Sequence, residues 1–214
     1  SRSCDRTFVN VFLWSRHYKV TFAEIEHTIV FKSEDHGLAF AYPVGAAEDV
    51  KRVLEFLMEY SAKKEAPFVL YNVTEDNFRQ LEEWYPGQYQ IEYNRDIADY
   101  VYESEKLATL SGKKLHAKRN HINKFKSTFD DWCYEPITKE NVEECFQMAL
   151  RWRNESGCEE DVEKNAEMCV TLNSLRLFEE LELKGGLLRV NGEIVAFTMG
   201  EPISEDTFVV HIEK

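Results

Sequence analysis

The chain has 214 residues, 43% hydrophobic, 13% aromatic and 30% charged, with a formal net charge of −13 at pH 7. Fourteen Phe, ten Tyr and four Trp supply a core that a disordered chain would lack, and the length allows one or two domains. No run approaches the roughly 20 apolar residues of a membrane-spanning helix, and so acidic a chain argues against extensive contact with a polyanion, while a local grip on one strand end or on a small phosphate ligand suffers less.

The start, "SRSCDRTFVN", has no charged segment followed by an apolar one and a cleavage site. It also lacks Met, and the other end, "VVHIEK", reads as mid-strand, so the chain reads as a fragment. Its five cysteines, Cys4, Cys133, Cys145, Cys158 and Cys169, are odd in number and contain no C-x-x-C pair. That usage points to a reducing compartment, the cytoplasm, with the thiols as small buried groups. Cys158 precedes Glu159, Glu160 and Asp161, whose charge raises a thiol pKa and makes a catalytic cysteine a poor expectation.

The first third reads as strands and then a helix. "YKVTFAEI", "HTIVFKSE" and "GLAFAYPVG" are rich in β-branched and aromatic residues, with a turn at Asp35-His36-Gly37. In "AAEDVKRVLEFLMEYSAKK" the residues Val50, Val53, Leu54, Leu57 and Met58 recur at helical spacing. "PFVLYNV" reads as a short strand, "TEDNFRQLEEWY" as a helix capped by Thr74, and "GQYQIEYNRD" as a strand. "DYVYESEKLATLSG" leads into a helix closed by Gly112.

After "DDWCYEPI", a strand, "TKENVEECFQMALRWRNESG" is a helix opened by Thr138 and ended by Gly157. "DVEKNAEMCVTLNSLRLFEELELK" is a long helical stretch. "GGLLRV", "EIVAFTMGEPI" and "DTFVVHIEK" form a three-stranded meander whose first turn is Asn191-Gly192. Gly185-Gly186 is read as a helix end and strand start. The class is α+β (mixed α/β), with an antiparallel meander associated twice with helices.

Between the halves lies "KKLHAKRNHINKFK", residues 113–126, with six of the 26 Lys and Arg, two of the six His and no acid. Without these six cations the remainder would carry −19 rather than −13. One reading is a solvated amphipathic helix whose Leu115, Ile122, Phe125 and Phe129 face the core. An exposed helix normally mixes charge signs, however, because opposite charges three or four residues apart support it. The other reading is a cradle for a phosphate-bearing ligand. In it Lys113, Lys114, Lys118, Arg119, Lys124 and Lys126 supply charge, and Asn120, His121 and Asn123 supply polar contacts. Lys118 falls close to the apolar stripe, where an unpartnered charge is expensive.

In the last strand Phe208, Val210 and Ile212 share one face by strict alternation, and Val209, His211 and Glu213 the other. His211 and Glu213 are the candidate catalytic pair, with His211 as general base or as the group that orients a nucleophile. A half-buried structural His is the plainer alternative. The acidic stretch "ESGCEEDVE" lacks the alternating oxygen ligands and Gly of a calcium loop, and no metal is expected.

"SEKLATLSGKKLHAKRNHINKF" and "GGLLRVNGEIVAFTMGEPISEDTFVVHIEK" resemble bacterial proteins related to the C-terminal catalytic domain of phosphatidylglycerol lysyltransferase, and "CDRTFVNVFLW" fits the same group. The resemblance covers nearly the whole chain. It implies tandem GNAT-like lobes, each a mixed sheet with an antiparallel meander flanked by helices, as in the Fem-type aminoacyl transferases. The N-terminal lobe falls over 1–104; the connecting basic helix and a truncated C-terminal lobe fall over 105–214. The resemblance also implies continuation past Lys214 into a further helix and strands.

Membrane-bound relatives move an aminoacyl group from a charged tRNA to a lipid headgroup, and their transmembrane half has no counterpart here. The implied activity is transfer of an aminoacyl group from an aminoacyl-tRNA to a hydroxyl or amine, with peripheral contact to a lipid headgroup. The alternatives are an N-acetyltransferase using coenzyme A or acetyl-CoA as its cofactor, and a non-catalytic anionic-ligand-binding module.

Overall fold

Thr7 opens the first helix by accepting a hydrogen bond from Asn10 N at 3.1 Å. This helix, α1 (Phe8–Tyr18), is absent from the sequence reading, because its aromatic and β-branched residues resemble a strand. The structure is a computed structural model that describes residues 4–95, 98–157 and 161–214. Cys158, Glu159 and Glu160 of the acidic stretch and Asp96 of the strand expected at 87–96 lie outside those residues. The chain divides into two compact units, Ser1–Tyr93 and Asn94–Lys214.

In the first unit β1 (Thr21–Ile25), β2 (Thr28–Ser33), β3 (Ala39–Ala41) and β4 (Leu70–Tyr71) form a sheet in that order. Three strands run antiparallel, and β4 lies parallel to β3. A parallel neighbour requires a crossover, which α2 (Ala47–Lys63) supplies. The spacing of its apolar residues is realised: Val50, Val53, Leu54 and Leu57 are all buried. Val53 and Leu57 join Val30 and Phe40, while Val50 and Leu54 join Tyr42 and Leu81 of α3 (Glu75–Trp84). Thr74 caps α3 as expected, in a reciprocal box with Asn77. No strand forms over residues 87–95.

The second unit begins with α4 (Ser104–Thr109) and, after a 3-10 turn at Lys113–Leu115, the basic helix α5 (His116–Thr128). Its sheet follows the order β5 (Trp132–Pro136), β6 (Lys184–Val190), β7 (Glu193–Ser204), β8 (Thr207–Glu213), antiparallel throughout. Asn191 and Gly192 turn β6 into β7 with φ of 51° and 81°, the left-handed pair that such a hairpin needs. Helices α6 (Val142–Glu155) and α7 (Val162–Arg176) pack on each other, and α6 on β7. Helix α7 is shorter than expected: after Leu177 the chain coils through tight turns, with Glu182 at φ 52°.

Arg189 of β6 fastens the layers. Its guanidinium, 15% exposed, lies 3.0 Å from Glu135 of β5 and 2.7 Å from Glu144 of α6. Hydrogen bonds from Arg189 hold both carboxyls below their ordinary range. Burial pushes the Cys145 thiol up to about 11, which suits an inert packing group.

Candidate functional site

The basic helix does not sink its apolar stripe into the core. No residue of α5 is buried: Leu115 and Phe125 are half-buried, while Ile122 and Phe129 are 43% and 39% exposed. Phe125 instead packs at a tilt against Phe129 and edge-on to Trp132, with ring centroids 5.1 and 5.9 Å away, and Lys126 sits over the Trp132 ring. Lys118 is therefore exposed rather than trapped against apolar surface.

Arg119 is the half-buried cation. Its Nη1 donates to the Leu110 carbonyl and, at 2.9 Å, to that of Gly112. It thereby satisfies main-chain acceptors left where α4 ends and ties that end to α5. Lys113, Lys114, Lys118 and Lys124 are exposed and meet no carboxylate among the described residues. Asn120 reaches His116 at 3.2 Å, and His121 and Asn123 face solvent. Among the described residues these four ammonium groups are thus left without a carboxylate, spread around the helix rather than along one face, Lys118 and Lys124 standing about 120° apart.

The other expected pair is not brought together. Met199 pairs with Ile212 but Gly200 with Val210, so β8 carries one extra residue, His211, at a β-bulge. The bulge ends the strict alternation: Phe208 and Val210 are 51% and 48% exposed, whereas Ile212 is buried. Glu213 is exposed, but the His211 side chain is 6% exposed and its Nε2 lies 2.9 Å from Glu201 Oε1 of β7. His211 therefore takes Glu201, not Glu213, as its carboxylate. Gly200 makes room for this: a Cβ there would stand 1.9 Å from the Val209 carbonyl oxygen.

Glu201 went unnoticed in the sequence because its link to His211 crosses strands through an irregular register. It also lines a cleft of about 770 Å³, with Thr138, Phe178, Glu179, Glu182 and Lys184 among the walls; His211 is not part of that wall. The cleft wall includes Thr138, just past the end of β5 at Pro136, whereas Phe125 rests on Trp132 at the start of that strand. The basic helix and the cleft thus meet β5 at opposite ends.

Residues 1–214 match the family described as phosphatidylglycerol lysyltransferase, C-terminal. The chain belongs to this family. A crystal structure of a conserved protein of unknown function from Bacteroides thetaiotaomicron VPI-5482 is similar over the whole chain and 72% of its own, with 40% identity and a TM-score of 0.89. The C-terminal domain (DUF2156) of a putative lysylphosphatidylglycerol synthetase from Agrobacterium fabrum shares the fold at a TM-score of 0.58 and 14% identity, over the whole chain and 64% of that one. An uncharacterized protein of Mycoplasmoides gallisepticum, MYCGA3080, is 26% identical over 136 residues, 62% of this chain and 44% of that protein. The chain thus spans less than half the length of that curated relative. With two four-stranded sheets flanked by helices, it has an α+β fold consistent with the expected tandem GNAT-like lobes, although only the first sheet is mixed and the second is antiparallel throughout. No described helix is long and apolar enough to cross a membrane.

Proposed function

We propose that this chain is the transfer domain of an aminoacyl transferase. It takes an aminoacyl group from an aminoacyl-tRNA and passes it to a hydroxyl or amine acceptor such as a phospholipid headgroup. The observation that carries the reading is the cluster of ammonium groups, Lys113, Lys114, Lys118 and Lys124, left without carboxylates among the described residues in a lysyltransferase family. Like charges repel, and a ligand's phosphates remove that cost while gaining charge-assisted hydrogen bonds.

An aminoacyl ester is already activated, so holding donor and acceptor together supplies most of the rate. In this reading the acceptor occupies the cleft beside Glu201. Its oxygen or nitrogen bonds to the ester carbonyl carbon while Glu201 takes its proton. The bond from that carbon to the ribose oxygen then breaks, and the proton passes to the leaving oxygen. His211, donating through Nε2 to Glu201, is a positioning residue that fixes the carboxylate.

Binding of tRNA by the wild type and by a Lys118→Glu/Lys124→Glu variant tests the donor half. A loss of at least about tenfold in affinity is expected when two phosphate contacts become repulsions. Equal binding by both proteins overturns the reading.

A further inference from the structure

Between the sheet of the first unit and helix α4, residues 98–103 run with no strand partner. They carry Tyr100 at 88% exposure, Val101 at 90% and Tyr102 at 52%. Aromatic rings so fully in water are unusual, because each gives up the burial that drives most of its packing. The two tyrosines are ordered against each other: their rings lie 6.5 Å apart, centroid to centroid, and 18° from parallel.

Position adds the second element. From Tyr102 the chain crosses Glu103 and the six residues of α4 to reach Leu110, a span of at most about 16 Å. There Arg119 grips the Leu110 carbonyl, anchoring the end of α4 to the basic helix. The aromatic pair is thereby tethered to the free ammonium groups. From Lys113 to Lys124 those groups spread over about 16 Å of helix, so they can meet more than one phosphate of a strand.

We infer that Tyr100 and Tyr102 form a stacking platform for the unpaired bases at the 3′ end of an RNA strand whose phosphates lie along the basic helix. Aromatic stacking is tolerant of sequence, because every base has a π-face, and it adds affinity that charge alone does not. The inference rests on the donor reading above, and supplies what holds the donor's single-stranded end.

The test uses two labelled RNA hairpins, one with an unpaired 3′ overhang and one blunt, titrated with protein in fluorescence anisotropy. The Tyr100→Ala/Tyr102→Ala variant is expected to bind the overhang hairpin at least about fivefold more weakly than wild type. Its affinity for the blunt hairpin should not change, and Tyr100→Phe/Tyr102→Phe should bind both like wild type. Unchanged overhang binding in the Ala variant refutes the platform, as does an equal loss for both hairpins. Tyrosine-dependent binding of coenzyme A in preference to the overhang refutes the assignment to RNA. If Lys118→Glu/Lys124→Glu loses both hairpins while the Ala variant loses neither, the platform falls and the donor reading stands. If wild type binds neither hairpin, both fall.

Discussion

His211 Nε2 and Glu201 Oε1 stand 2.9 Å apart across the β7–β8 pair, beside the bulge at which His211 is the extra residue of β8. Only Glu201 reaches the cleft wall. Removing the proton acceptor should cost more than loosening it. Glu201→Gln is expected to lower the transfer rate by about 100-fold or more, and His211→Gln by about tenfold, with little change in donor affinity. Single-turnover transfer rates together with donor titrations check this; equal effects on rate and affinity would make the pair a binding feature.

The bulge that creates this contact depends on Gly200. A methyl there meets the Val209 carbonyl oxygen at 1.9 Å and Phe208 Cε1 at 2.8 Å, so the strands must part. Gly200→Ala should destabilise the second unit by about 2 kcal/mol or more. It should also abolish transfer, because a regular register would carry His211 away from Glu201. Urea unfolding measures the first effect, and a wild-type midpoint would show that the bulge is soft.

Features decided by a few adjacent residues were legible in advance. The Asn191-Gly192 turn, the Thr74 cap and the buried face of α2 each follow from local chemistry, and each is present. The bulge was not legible, because one inserted residue leaves the alternating pattern of "TFVVHIEK" intact on paper while reassigning its faces. Helix α5 shows the converse. Its stripe was visible, but periodicity reports only that residues share a face, not that anything covers it, and Ile122 and Phe129 remain largely in water. The cations were found by composition, yet only the coordinates separate Arg119, held by main-chain carbonyls, from the lysines that are free.

That separation yields opposite mutational signatures. Arg119→Ala should lower the melting temperature, since two carbonyls lose their donor, whereas Lys118→Ala should leave it unchanged. If the lysines meet phosphates of a single strand, each one removed should reduce the slope of log affinity against log salt by about 0.7. Thermal melts and a salt titration of RNA binding separate the two roles. An unaltered slope in Lys118→Ala/Lys124→Ala would remove these residues from the interface.

Acid should expose the Arg189 clamp. The folded-state pKa values of Glu135 and Glu144 are depressed, so their contribution is fully present above the ordinary carboxylate value of 4.5 and is lost as pH falls through the lowered values. Arg189→Met should therefore melt below wild type at pH 7, and the gap should narrow as both carboxyls protonate. A gap independent of pH would assign the effect to packing alone.

The central claim is transfer from an activated RNA ester. The direct measurement follows a labelled amino acid from aminoacyl-tRNA into phosphatidylglycerol vesicles or a free amine acceptor, with wild type and Glu201→Gln run side by side. The account predicts that wild type moves label from RNA to acceptor well above the rate in buffer, and that the variant does not. Label that stays on the RNA at the buffer rate, although the RNA is bound and both acceptors are present, would contradict it.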